Sequence, residues 1–196
     1  MPPRSRSLLP LQNQVRIIGG QWRGRRVRFP AEAGVRPTPD RVRETLFNWL
    51  GQELDGLTTL DLFAGSGALT LEALSRGASL AVAVDRNASL VRALAGTGAT
   101  LGTHALETHR ADALAFLARE PRCFDVIFLD PPFDLDLWGA LLPAAASRLS
   151  RDGVIYAEAR APVDATGGLG VARSDRAGQV HYHLLRKIEA TEQPAC

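Results

Sequence analysis

The stretch from Thr58 to Leu74 constrains the fold more than any other part of the chain. An apolar run closing on Asp61 enters the turn Gly65-Ser66-Gly67, which opens into a segment whose apolar residues return at helical spacing. Strand, glycine turn and helix in that order form a nucleotide-cofactor loop in an open α/β sheet. A second apolar run, Phe124 to Leu129, closes on Asp130-Pro131-Pro132-Phe133. Between and after these motifs the pattern predicts strands near 58–62, 80–84, 104–109, 124–129 and 153–158. Helices are predicted near 67–76, 87–96, 111–119 and 135–149. That alternation implies a mainly parallel sheet with helices on both faces. Gly170 to Lys187 holds two further strand-like runs around Gly178, which suits a terminal antiparallel hairpin at one sheet edge and brings the expected sheet to seven strands.

With 196 residues, 45% of them hydrophobic, the chain can bury one substantial core. No run of 18 apolar residues and no apolar signal core is present, so a soluble cytoplasmic protein is expected. Cys123 and Cys196 give neither a disulfide framework nor a metal spacing. The net charge of +2 hides an asymmetry: residues 1–43 carry ten arginines against Glu32 and Asp40, a local +8 against −6 for the remainder. This predicts a basic arm on a mildly acidic body.

Residues 1–14, mixed in Pro, Ser, Arg and Gln, are expected to be a disordered tail. Residues 15–50 then form a basic hairpin and helix, and 51–196 the catalytic core. From Val15 to Phe29 apolar and cationic residues alternate around Gly19-Gly20, Trp22 and Gly24, which reads as a β-hairpin with an arginine face. A lone ribbon is marginal in water, so it must dock on the core or on a partner. Arg16, Arg23, Arg25, Arg26 and Arg28 make phosphate backbone the natural partner, with Trp22 kept for packing. Thr38-Pro39-Asp40 gives a helix start with Thr38 as N-cap, and Gly51 a stop. Arg41 and Arg43 lie near the positive end of that helix, where they either pair with acids or meet phosphate.

In the glycine loop two features discriminate among cofactors. The dinucleotide fingerprint needs a third glycine where this chain has Thr70, and Asp61 puts negative charge where a pyrophosphate would lie. Both disfavour NAD and favour S-adenosylmethionine, whose amino group and sulfonium suit a carboxylate. Asp85 ends the second core strand twenty residues after Gly65, the spacing of an acid that accepts both ribose hydroxyls. Asp112 is placed to meet the adenine amino group, although an acid there also serves as a helix N-terminal residue. Phe63, Arg86 and Ala113 complete the expected cofactor set.

An exocyclic amine on a nucleobase is a poor nucleophile, because its lone pair is delocalised into the ring. A carboxylate and a backbone carbonyl that accept its two N–H bonds hold the nitrogen beside a methyl donor, and Asp130 and the Pro131 carbonyl suit these roles. Phe133 can stack on the base, worth about 1–3 kcal/mol. His181 and His183 share a strand face without a third ligand, so no metal site is expected. Glu158 ends a strand at the ligand edge and carries no assigned role.

At this point the chain resembles the bacterial 16S ribosomal RNA guanine-N(2) methyltransferases of the RsmD type. The likeness runs from Arg16 to about Lys187 and rests on the Arg16–Gly24 and Arg36–Leu50 segments, Phe63–Leu69, Asp130–Phe133 and Ala177–Val180. It implies a class I methyltransferase fold and transfer from S-adenosylmethionine to the 2-amino group of one guanine in the RNA of an assembled or nearly assembled small subunit. The basic arm and the region from Arg36 to Asn48 would engage that RNA, and a monomer is expected. Thr70 departs from a common glycine, with little effect expected. Asp112 stands where related sequences carry Asn. Competing readings are an amine methyltransferase acting on adenine or on a protein glutamine, and a noncatalytic RNA-binding assembly protein.

Overall fold

The computed structural model describes residues 12–31, 38–132 and 137–188; Arg36 and Phe133 lie outside them. The N-terminal part holds β1 (Gln12–Arg16), β2 (Arg26–Pro30) and α1 (Asp40–Leu50). There follow β3 (Thr58–Asp61), α2 (Ala68–Ser75), β4 (Leu80–Asp85), α3 (Ala88–Leu101) and β5 (Leu106–Arg110). The chain continues with α4 (Ala113–Arg119), β6 (Phe124–Leu129), α5 (Trp138–Ala146), β7 (Leu149–Ala159), β8 (Leu169–Ala177) and β9 (Val180–Lys187).

Seven strands form one sheet in the order β5-β4-β3-β6-β7-β9-β8. The first five are parallel, and β9 and β8 close one side as the expected antiparallel hairpin. Strand periodicity sorts the core into two layers. Val82, Val84, Ile127 and Leu129 face one way, onto Leu117 of α4 and Leu141 and Leu142 of α5. Ala81, Ala83, Val126 and Phe128 face the other, onto α1, α2, α3 and the N-terminal ribbon. From β3 the chain steps outward to β4 and β5, then returns to lay β6 and β7 on the far side of β3. Strand order therefore reverses between β3 and β6, and their carboxyl ends flank the crevice where ligands of such sheets bind.

The two boundaries that moved furthest did so for local reasons. Helix α3 runs five residues past expectation, because nothing breaks it before Gly102 closes it in the left-handed conformation with φ 71°. Strand β7 begins early, at Leu149, where it pairs with Phe124 before a register shift.

The ribbon pairs Gln12 with Pro30 through to Arg16 with Arg26, so Gln12 to Gln14 belong to a strand and not to the expected tail. Their backbone ladder requires no apolar side chain, which is why composition misplaced them. Val15, Ile17, Trp22, Val27 and Phe29 are buried in the same apolar cluster as α2 and α3, so the ribbon docks on the core. Gly20 has φ 70°, and a Cβ on it would collide with the Ser75 carbonyl. The docking is fixed by Gln21 N–H donating to the Ser75 carbonyl at 2.7 Å and Trp22 N–H to Ser75 Oγ at 2.9 Å.

At the centre of this junction lies Glu72, fully buried on α2. Its Oε2 accepts from Ile18 N–H at 2.9 Å and from Arg43 Nη1 at 3.1 Å. Its Oε1 accepts from Gly19 N–H at 2.7 Å and from Arg76 Nε at 3.0 Å. Arg43 is also fully buried, and its remaining donors reach the Thr38 carbonyl, the Arg16 carbonyl and Asp40. The expectation that Arg43 meets RNA is therefore corrected: every face of its guanidinium is committed inside the protein.

Helix α1 begins at Asp40 after Pro39 and ends at Gly51 with φ 97°. Thr38 is not its cap. The Thr38 hydroxyl instead acts on Glu158, whose pKa it lowers, on the sheet face that α1 covers.

Removing one partner of a buried ion pair strands the other. Glu72→Ala is therefore expected to destabilise the fold by about 3–5 kcal/mol, read as a lower midpoint in urea unfolding, whereas an exposed change such as Arg151→Ala should stay within about 0.5 kcal/mol.

Candidate functional site

Three acids converge where the strand order reverses. Asp61 ends β3, Asp130 follows β6, and Glu158 lies near the end of β7. The registers Asp61↔Phe128 and Leu129↔Ala157 bring them side by side across neighbouring strands. Strand alternation turns Asp61 and Asp130 to the face that α1 and α2 cover. Sequence reasoning brought Asp61 and Asp130 together correctly but left Glu158 out. Its one sequence signal, an acid closing an apolar strand run at the ligand edge, was visible and unused.

Asp61 is buried at 4% exposure, and its Oδ2 accepts from the Thr70 hydroxyl at 2.7 Å. Burial pushes its pKa up to about 7; the Thr70 hydroxyl and the Phe63 N–H work against that rise, and the charge of Asp85 adds to it. Thr70 thus acts directly on the loop's carboxylate, a larger part than its position past the turn suggested. Gly65 and Gly67 both have positive φ, 50° and 75°. A Cβ on Gly67 would strike Leu94 of α3, so close helix packing, in addition to the turn, demands glycine there.

Asp85 is half-buried, with Oδ2 accepting from Gly65 N–H at 2.8 Å and Oδ1 from Asn87 N–H at 2.8 Å. The helix cap after β4 is Asn87, whose side chain accepts from Ser89 and Leu90 N–H, so Asp85 is not spent on capping. Asp112 differs. It is the N-cap of α4, accepting from Ala115 N–H at 3.0 Å, and its other oxygen takes the Arg86 guanidinium. Both Asp112 and Arg86 are thereby held at the rim, and the buried Ala113 begins the helix beside them. Phe63 is half-buried against the α4–α5 layer.

Asp130 accepts no hydrogen bond from any described residue, and burial first, then the charges of Glu158 and Asp61, hold its pKa well above the carboxylate range. Pro131 is buried and Pro132 exposed. Glu158 is buried at 4% exposure, with Oε1 accepting from the Tyr156 hydroxyl at 2.7 Å. Burial raises its pKa, while the Tyr156 and Thr38 hydroxyls pull it back.

The donor set tests which ligand the crevice suits. It offers carboxylates at Asp61 and Asp85 and backbone at Gly65 to Gly67, and Arg86, which follows Asp85, is already paired with Asp112. Such a set matches an ammonium, a sulfonium and ribose hydroxyls, and repels a pyrophosphate. Among the described residues no group of three His, Cys, Asp or Glu is arranged to hold a metal ion. His183 is buried, its Nε2 accepting from Val163 N–H at 3.3 Å.

Of the predicted arginines, Arg23, Arg25, Arg26 and Arg28 are exposed on the ribbon and Arg41 on α1. Arg16 is also exposed but pairs with Asp40 at 3.0 Å.

The sheet order and the glycine loop define a class I methyltransferase. The family model described as "Conserved hypothetical protein 95" matches residues 15–186. "Ribosomal RNA small subunit methyltransferase D" of Escherichia coli is 38% identical over 191 residues, covering 93% of this chain and 94% of that one. "Putative rRNA methyltransferase YlbH" of Bacillus subtilis is 36% identical over 182 residues, covering 88% and 99%. The solved structure "Putative methyltransferase yhhF" from Escherichia coli superposes with TM-score 0.81 at 38% identity, over 90% of this chain and all of that one. The chain belongs to this family, the RsmD-type methyltransferases.

A cationic ligand on Asp61 binds the ionised carboxylate, which the free protein holds increasingly protonated as pH falls below about 7. The affinity for S-adenosylmethionine is therefore expected to weaken on acidification from pH 7.5 to 5.5, approaching about tenfold per pH unit at the low end. Calorimetric titration checks it; a flat profile removes Asp61 from the contact.

Proposed function

We propose that the chain transfers a methyl group from S-adenosylmethionine to the exocyclic 2-amino group of a guanine in 16S rRNA of the small ribosomal subunit. The observation that carries this reading is Asp130: an acid with open acceptor capacity, set at the strand-order reversal one strand from the Asp61 loop. When bound, the cofactor supplies a methyl group on a positively charged sulfur. Asp61 faces its ammonium, Asp85 accepts from its ribose hydroxyls, and Ala113 with the rim pair Arg86 and Asp112 borders its adenine. Asp130 and the Pro131 carbonyl accept the two N–H bonds of the target amine, which fixes the nitrogen and favours pyramidal geometry as charge develops. Phe133, outside the described residues, keeps its expected role of stacking on the base.

The exposed arginines of the ribbon, with Arg41 on α1, form the RNA-facing surface, and Arg36, outside the described residues, keeps its expected role of engaging RNA. Phosphate contacts of this kind position the RNA without reading it, so the identity of the base rests on the acceptor site and on family membership. The working unit is one chain, a reading supported by the few large apolar side chains exposed among the described residues, Val171 and Ile188.

Labelled methyl transfer to unmodified small subunits, naked 16S rRNA and duplex DNA tests the reading. Label recovered as 2-methylguanosine, chiefly from subunits, is expected. Label on adenine or protein glutamine overturns the substrate, and tight subunit binding with bound cofactor but no label points to an assembly protein. Asp130→Ala is expected to keep cofactor affinity within about twofold while losing at least about a hundredfold in methyl transfer. Replacing Arg25 and Arg26 together is expected to weaken RNA binding and to flatten its salt dependence by about one log unit per lost phosphate contact. An unchanged slope removes the ribbon from the interface.

A further inference from the structure

Glu158 has no part in the reading above, yet its surroundings are built. Its Oε1 takes the Tyr156 hydroxyl at 2.7 Å, and the Thr38 hydroxyl, from the segment before α1, lowers its pKa. The Thr38 carbonyl is itself held at 3.1 Å by the buried Arg43, which anchors that residue. Tyr156 is fully buried in a row of aromatic rings with Phe128 and Tyr182. The next titratable group on β9, Tyr182, pairs in register with Glu158, but its hydroxyl donates to Asp175 at 2.9 Å. Asp130 faces Glu158 from β6, and Asp61 adds its charge from β3. Among the described residues no Lys, Arg or His forms an ion pair with Glu158, Asp130 or Asp61.

Two neighbouring buried carboxylates without a cation cannot both be charged, so one proton stays with the pair. The two hydroxyl donors stabilise charge on Glu158, which leaves the proton on Asp130 in the free protein. An amine set against Asp130 reverses this balance, because its N–H bonds favour charge there, and the proton passes to Glu158. We propose that Glu158 is a positioning residue of the methyl-acceptor site, held by Tyr156, which shares one proton with Asp130 and takes that proton up when Asp130 receives the amine. The methylated nitrogen must shed one proton to become neutral. Its N–H bond breaks and an O–H bond forms on Asp130, left unprotonated to accept it because the shared proton already lies on Glu158. This rests on the assignment of Asp130 to the amine.

Carboxyl-carbon NMR of the full chain, free of ligand, reads the sharing directly. In the native protein the Asp130 and Glu158 signals should titrate as a coupled pair in two steps. In Glu158→Gln, Asp130 should titrate in one step, at least about one pH unit lower. An Asp130 titration that does not move overturns the proposal. Should Glu158→Gln not fold, Thr38→Val takes its place: losing a donor should shift the proton toward Glu158, and unchanged signals again overturn it. In methyl-transfer assays, Glu158→Gln should move the acid limb of kcat to lower pH, with the KM for RNA within about twofold. A uniform loss at every pH marks a merely structural role and overturns the proposal. The underlying reading fails separately: if Asp130→Asn keeps full methyl transfer, Asp130 does not serve the amine, whatever the NMR coupling shows.

Discussion

The Glu72 carboxylate is the interaction on which the rest of the molecule depends. It lies on the helix that leaves the cofactor loop, and it receives two backbone N–H groups of the arm, the guanidinium of Arg43 from α1 and that of Arg76 at its own helix end. Four donors on one buried acid satisfy the cost of burying charge, and they do so only if arm, helix and loop are all in place. The arm is thus structurally continuous with the core, and its exposed arginines are presented from a rigid base. Arg43 carries the same continuity onward, through the Thr38 carbonyl, to the strand ends where the acids meet.

The acids themselves illustrate how a parallel sheet makes a site. Each of β3, β6 and β7 delivers one carboxyl group at its carboxyl end, and the registers leave them adjacent without any loop having to reach inward. Their closeness has an electrostatic cost, which hydroxyls from Thr70, Tyr156 and Thr38 reduce selectively. Asp61 and Glu158 are each given hydroxyl donors, whereas Asp130 has none among the described residues. That inequality differentiates three chemically similar groups.

Much of this was legible in the sequence, because the signals were local. The strand ending at Asp61, the glycine turn and the βαβ rhythm follow from periodicity and from backbone demands at single positions. What escaped was non-local. Arg43 reads as a surface cation on an amphipathic helix; only the docked arm and Glu72 enclose it. Thr38 has every mark of an N-cap until the fold offers its hydroxyl a buried acid. Asp112, by contrast, was weighed between ligand and helix end, and the structure supplies both a capping bond and an arginine partner. Gln12 to Gln14 look unstructured by composition because ladder bonds do not depend on side-chain type.

The antiparallel pair at the end of the chain shapes how the molecule meets its own kind. With β9 beside β7, the strands that deliver the acids are all interior, and the open rims of the sheet are β5 and β8. β8 carries Arg173, Asp175 and Arg176 and breaks register between Val171 and Arg173. Charge and irregularity on an edge are the usual protection against strand-to-strand association between copies. Strands added along β8 would lie on the side of the sheet away from β3 and β4, which carry the glycine loop and Asp85.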